Sequence, residues 1–156
     1  MQVPFVATEQ DKKQRHSAHQ TQWAAQFAVA SELCKRGYEV ALTMGNHPIV
    51  DLMVISPNGV PFRVDVKGQY KPNFWPVRQK KTRDKLFYVL AFVPKDARNQ
   101  FFILTQDQVS EGIKIDFEHA KALREGKGVP GAPGHFPGIQ RHFVQRFEDK
   151  WEALPK

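Results

Sequence analysis

Two short apolar segments flank Pro57-Asn58-Gly59, and this arrangement limits the possible fold more than any other feature of the chain. Ile49 to Ser56 and Val60 to Lys67 have the length and β-branched content of strands. A three-residue hairpin loop with glycine in the left-handed position fits the segment between them. With 57–59 as the loop, Ser56 pairs with Val60, and counting back places Asp51 opposite Asp65. Strand side chains alternate between faces, so Arg63, Asp65 and Lys67 share one face while Phe62, Val64 and Val66 share the other. The apolar set belongs in a core. Asp65 and Lys67 are therefore expected on the opposite, open side.

Directly paired strand residues point to the same face with Cβ atoms about 4.5–5.5 Å apart. Two carboxylates that close repel each other unless a cation sits between them. Mg²⁺ and Mn²⁺ favour such oxygen ligands, which makes Asp51 and Asp65 candidate metal ligands. Lys67 would stand beside the ion, placed to orient or deprotonate a water and to balance charge on a phosphorane-like transition state. Short D…D-x-K patterns are common on solvated strands. Here the context adds weight, because Asp51 interrupts the apolar run Ile49 to Ile55, where an unpaired acid is costly. Together Asp51, Asp65 and Lys67 describe a site for cleaving phosphodiesters.

The rest of the sequence supplies a frame for this hairpin. The spacing predicts a helix from about His19 to Arg36, stopped by Gly37, with Trp23, Phe27, Ala30 and Cys34 as its apolar stripe and Val29 and Leu33 beside it. Cys34, the single cysteine, excludes an intramolecular disulfide and reads as a buried structural thiol. Tyr38 to Thr43 predicts a first strand, and Leu86 to Val93 and Phe101 to Thr105 two later ones. Gln106 to Glu125 reads as a helix. Residues 126 to 138 hold five glycines and three prolines and read as a loop. Arg141 to Leu154 reads as a short helix whose Phe143, Phe147 and Trp151 pack on the body. The expected organisation is a polar arm over 1–17, a core over 18–125, a Gly/Pro-rich loop over 126–140 and a helical tail over 141–156. The fold class is α/β, a mixed sheet of four or five strands flanked by helices.

The 156 residues suffice for one core, and a formal charge of +7 favours a polyanionic partner, nucleic acid first. No apolar run reaches the roughly 18 residues of a membrane span and no signal-peptide core is evident, so a cytoplasmic protein without membrane association is expected. Lys71, Arg78, Lys80, Lys81 and Arg83 cluster after the hairpin around Phe74 and Trp75. This segment is a candidate nucleic-acid grip, with Trp75 stacking on or wedging into bases. A solvated basic loop with its aromatics in the core fits the same pattern. Lys12, Lys13 and Arg15 read as a basic arm. His47 reads as a structural or exposed loop residue, and His135 and His142 lack metal-ligand spacing.

The strings "ELCKRGYEV", "VDLMVISPNG" and "FRVDVKG" resemble the PD-(D/E)xK nuclease superfamily, in particular its small single-domain branch of archaeal Holliday-junction resolvases and intron-encoded homing endonucleases. The likeness covers about residues 20 to 70 and extends loosely through "KLFYVLAFV" and "FFILT". It implies a restriction-endonuclease-like core and a Mg²⁺- or Mn²⁺-dependent endonuclease that hydrolyses DNA through a metal-activated water. Asp51 would match the first metal-binding acid, with Val50 in place of the usual proline, and Asp65 and Lys67 the second acid and the lysine. By the same resemblance the Val66 carbonyl is a further metal ligand, and Gln69 contacts phosphate or water.

Members often carry a glutamate on the helix, about eleven residues before its terminal glycine, where this chain has Gln26. Helical geometry points Gln26 at the sheet and Glu32 away from it, which makes Gln26 the secondary site candidate and Glu32 a surface residue. A core glutamine bonded to backbone accounts for Gln26 equally well. A neutral amide there brings an alternative into view: a nucleic-acid-binding module on the same fold that has lost turnover. A single domain of this size has one cut site, so double-strand cleavage would call for a homodimer or higher homo-oligomer.

Overall fold

The computed structural model describes residues 17–43, 50–129 and 136–156. Lys12, Lys13, Arg15, His47 and His135 lie outside them. Helix α1 (Ala18–Lys35) opens on a capping box, in which the Ser17 side chain accepts from the Gln20 amide and the Gln20 side chain accepts from that of Ser17. It ends as expected at Gly37, whose φ is +84°. Gly37 N–H bonds Cys34 O at 3.0 Å and Tyr38 N–H bonds Leu33 O at 3.1 Å, a Schellman ending.

Strands β1 (Glu39–Leu42), β2 (Leu52–Ile55), β3 (Pro61–Gln69), β5 (Leu86–Phe92) and β6 (Gln100–Thr105) form one five-stranded sheet in the order β1-β2-β3-β5-β6. The β3–β5 pair is parallel and the other pairs are antiparallel, so the sheet is mixed. Helix α2 (Gln106–Gly126) follows β6 directly, capped by Thr105. Two two-residue strands, β4 (Trp75–Pro76) and β7 (Gly138–Ile139), pair with each other in a way the sequence pattern does not reveal. No helix among the described residues is long and apolar enough to cross a membrane.

Alternation along β3 and β5 feeds two cores. Val64, Val66, Val89 and Ala91 point to α1, where they meet Ala25, Val29 and Leu33. Tyr88 and Leu90 point the other way, into a cluster with Trp75, Val77, Phe102, Leu104, Val109, Ile139 and Phe143. The stripe expected on α1 is therefore displaced. Phe27 is 56% exposed, Trp23 is half-buried and stacks on it at 5.3 Å, and Cys34 is exposed rather than a buried thiol. The reason is the closeness of the helix to β3. A Cβ added at Gly68 would lie 2.7 Å from Ala25 Cβ and 2.9 Å from the Thr21 carbonyl oxygen, so this interface takes small residues and turns the large rings outward.

The tail is also not the single helix expected. It forms α3 (Arg141–Val144), a 3-10 turn over Gln145–Phe147, and a second over Trp151–Ala153. Asp149, with φ +54°, stands between the two turns, and its N–H bonds Phe101 O at 2.9 Å. The chain thereby crosses the β6 edge, sending Phe143 and Phe147 to one core and Trp151 and Leu154 to the other.

Candidate metal and nucleic-acid site

The hairpin turn forms as its sequence suggests. Gly59 has φ +83°, Gly59 N–H bonds Ser56 O at 2.8 Å, and Ser56 N–H bonds Val60 O at 2.9 Å. The register runs from Ile55↔Pro61 to Leu52↔Val64, and one further step would set Asp51 against Asp65. The ladder stops one pair short of that step. Asp51 N–H donates to Val64 O at 3.1 Å, and its carboxylate replaces the next main-chain partner, with Oδ2 accepting from Val66 N–H at 2.8 Å. Oδ1 accepts from Gln26 Nε2 at 2.9 Å. Gln26 is buried against the sheet, as helical geometry indicated, while Glu32 ion-pairs with Lys35 and Arg36. Hydrogen bonds from Arg36 and then Lys35 hold the Glu32 carboxyl below its ordinary range.

Asp65 departs from expectation. Its face of the sheet is not open, and the residue is 1% exposed. Two ammonium groups offset the charge. Lys67 Nζ lies 2.6 Å from Oδ1, outside hydrogen-bonding geometry, and Lys80 Nζ donates to Oδ2. A buried carboxylate survives only with such partners. Tyr88 is the register neighbour of Asp65, and burial first, then the Asp65 charge, pushes its hydroxyl up to about 12. Burial likewise raises the Asp51 carboxyl above its ordinary value. The nearby Asp65 adds to that rise, and the Val66 amide and the two lysines oppose it.

Gln22, one helical turn before Gln26, went unrecognised in the sequence. Its Nε2 donates to Val66 O at 2.8 Å and its Oε1 accepts from Gly68 N–H at 3.3 Å. An amide at i−4 from Gln26 was the available signal. Gln69 does not reach this group; its Nε2 donates to Phe74 O at 3.1 Å. A cleft of about 490 Å³ opens beside Lys67, lined also by Thr21, Gln22, Gln69 and Tyr70. A larger groove of about 590 Å³, between α2 and Gln79 and Pro137, contains none of the site's side chains.

The basic segment divides. Trp75 is fully buried, edge-on to Phe102 at 5.4 Å, and so is a core residue and not a stacking platform. Lys71, Arg78 and Lys81 are exposed, with Arg78 lying 4.7 Å over the Phe136 ring. Arg83 is half-buried, and Gln106 grips its backbone at both N–H and carbonyl. Lys80 belongs to the carboxylate group itself.

The donor set fits a hard divalent cation. Asp51 and Asp65 carry the charge, buried Oδ1 of Asp65 meets the Lys67 ammonium but receives no hydrogen bond among the described residues, and the Val66 carbonyl keeps a second lone pair beyond its Gln22 bond. No group of three or more His, Cys, Asp or Glu residues gathers among the described residues. An ion held here would complete its shell with water, as Mg²⁺ does.

No protein-family model matches this sequence, and no curated protein matches it. The structure is similar to that of a bacterial homing endonuclease, I-Ssp6803I, with a TM-score of 0.52 and 18% sequence identity over 89% of this chain and 91% of the other. The two share a fold: a mixed sheet flanked by helices, matched along nearly the whole of both chains.

Proposed function

We propose that this protein is a divalent-metal-dependent endonuclease of the PD-(D/E)xK type acting on DNA. One observation carries the reading: a buried Asp65 beside Asp51 at the end of the β2–β3 ladder, with Lys67 at 2.6 Å. The homing-endonuclease fold and the charge of +7 agree with it. Asp51, Asp65 and the Val66 carbonyl would hold Mg²⁺ or Mn²⁺. A bound ion would supply Lewis-acid polarisation of a phosphate and acidification of a water. The protein's own part is to prearrange charge. Gln26 fixes one oxygen of Asp51, Gln22 fixes the Val66 carbonyl, and Lys67 places a cation where negative charge grows in phosphodiester cleavage. Lys71, Arg78 and Lys81 are exposed cations for the DNA backbone, and cutting both strands calls for two copies of the chain.

Purified protein with Mg²⁺ or Mn²⁺ is expected to cleave branched, single-stranded or duplex DNA. Asp65→Asn and Lys67→Ala should each lower the rate at least about 100-fold while keeping the fold by circular dichroism. Undiminished cutting by both variants would refute the assignment. The second reading, a binding module without turnover, draws on the neutral Gln26 at Asp51. It predicts salt-sensitive DNA binding with no cleavage of any of these substrates.

A further inference from the structure

Asp65 has more positive charge against it than one carboxylate needs, and the two lysines come from different places. Lys67 stands two residues along the same strand, fixed in register against Leu90. Lys80 reaches the carboxylate from the connection between β4 and β5, fifteen residues further on. That connection is anchored at its ends, where Val77 N–H bonds Pro137 O at 3.1 Å and Arg83 N–H bonds Gln106 Oε1 at 2.8 Å. Between these anchors the backbone is neither helix nor strand, and the side chain of Gln79 donates to Ser110 Oγ at 3.3 Å. Lys80 can therefore withdraw without breaking a sheet ladder, whereas Lys67 cannot leave its strand.

We propose that Lys80 is an internal stand-in for the divalent cation: it occupies Asp65 Oδ2 in the metal-free protein, and metal binding displaces it into the solvent-facing basic segment. This rests on the metal-site reading above. With Lys67 and Lys80 both present, the charges of Asp51 and Asp65 are already matched. Adding a divalent ion leaves an excess of two, and the same oxygen cannot serve the ion and keep its full contact with Lys80. The released ammonium joins Arg78 and Lys81 on a segment already suited to phosphate contact. Metal occupancy and nucleic-acid grip are thereby linked through one side chain, and in the absence of metal the site is guarded against stray cations.

The test uses the full chain and Mn²⁺ alone, read by titration calorimetry and by hydrogen exchange of residues 77–83. Lys80→Met, which keeps the aliphatic stem, should bind Mn²⁺ at least about tenfold more tightly than wild type, the scale of one lost charge-assisted competitor. Lys80→Arg should bind no more tightly than wild type. In the wild type, Mn²⁺ should speed exchange over 77–83, a readout that needs no substitution, and Asp65→Asn should do so without metal. Equal or weaker Mn²⁺ binding by Lys80→Met, or exchange over 77–83 indifferent to Mn²⁺ in a protein that binds it, would overturn the proposal and leave the metal site standing. Absence of Mn²⁺ binding in both wild type and Lys80→Met would overturn both.

Discussion

The face of the sheet turned away from α1 has two halves built to different rules. Over β5 and β6 it is sealed, with Tyr88, Leu90, Phe102 and Leu104 at 0–3% exposure beneath Trp75, Val77, Ile139 and the tail. Over β2 it is bare, with Met53 and Ile55 at 41% and 42% exposure. Asp65 and Lys67 ride on β3, the strand between them. A carboxylate at such a seam is itself buried, with apolar packing on one side and a thinly covered strand on the other. A bare face would let water screen the charges of Asp65 and its two lysines.

Three measurements would break or sharpen that contrast. The largest effect should come from the sealed half: Leu90→Ala is expected to cost about 2–5 kcal/mol in urea unfolding, as cavity-forming core substitutions do, while Met53→Ala stays within about 0.5 kcal/mol. Similar costs at the two positions would dissolve the distinction. Next, Gly68→Ala forces a methyl against Ala25 Cβ and the Thr21 carbonyl, and should cost about 1–3 kcal/mol by lifting α1 from β3. Because Gln22 and Gln26 ride on that helix, metal affinity should fall with it, and an unchanged affinity would show that the two amides are dispensable.

The smallest effect concerns pH. The Asp51 carboxyl is raised above its ordinary value of 3.8, mainly by burial, so the fold holds its proton more tightly than the unfolded chain does. That contribution is fully present below 3.8 and is lost as pH rises through the raised folded value. Metal-free Asp51→Asn, whose amide can pair with a flipped Gln26, should gain stability relative to wild type as pH climbs from about 3.5 to about 7. Thermal melts across that range are decisive. A gap that narrows with rising pH would mean that Asp51 is stabilised as a carboxylate even without metal.

What was legible in the sequence came from local rules. Gly59 set the turn and through it the register as far as Leu52, and Gly37 set the end of α1. The 3.6-residue period aimed Gln26 at the sheet. The failures on the sheet share one cause. Alternation says which residues of β3 share a face, not whether another part of the chain covers it. The cover on that face, over Tyr88 and Leu90 beside Asp65 and Lys67, comes from Trp75 and Val77 of a later connection and from Val109, Ile139 and the tail, beyond the reach of strand alternation. Trp75 among lysines looked like a stacking group because nothing nearby announces β7 as its partner. The Trp23–Phe27 stripe faces outward because Gly68 leaves little room for large rings between α1 and β3. Lys80 read as one more surface cation, since its carboxylate partner is fifteen residues away.

The tail's passage over β6 bears on how the molecule comes apart. Tyr38 Oη bonds Pro155 O at 2.9 Å across 117 residues of chain, and Arg36 lies 4.4 Å over the Trp151 ring. Contacts of such long sequence separation are costly to close in folding, and a segment of short turns with no ladder of its own opens early in thermal fluctuations. The strand laid bare by peeling is apolar on both faces, Phe101 through Leu104, with amides and carbonyls left unpaired along its rim. Residues 141–156 thus act as a hem: while stitched down they keep β6 from recruiting a strand of another molecule, and substitutions that loosen them should promote self-association before they disturb the Asp65 cluster.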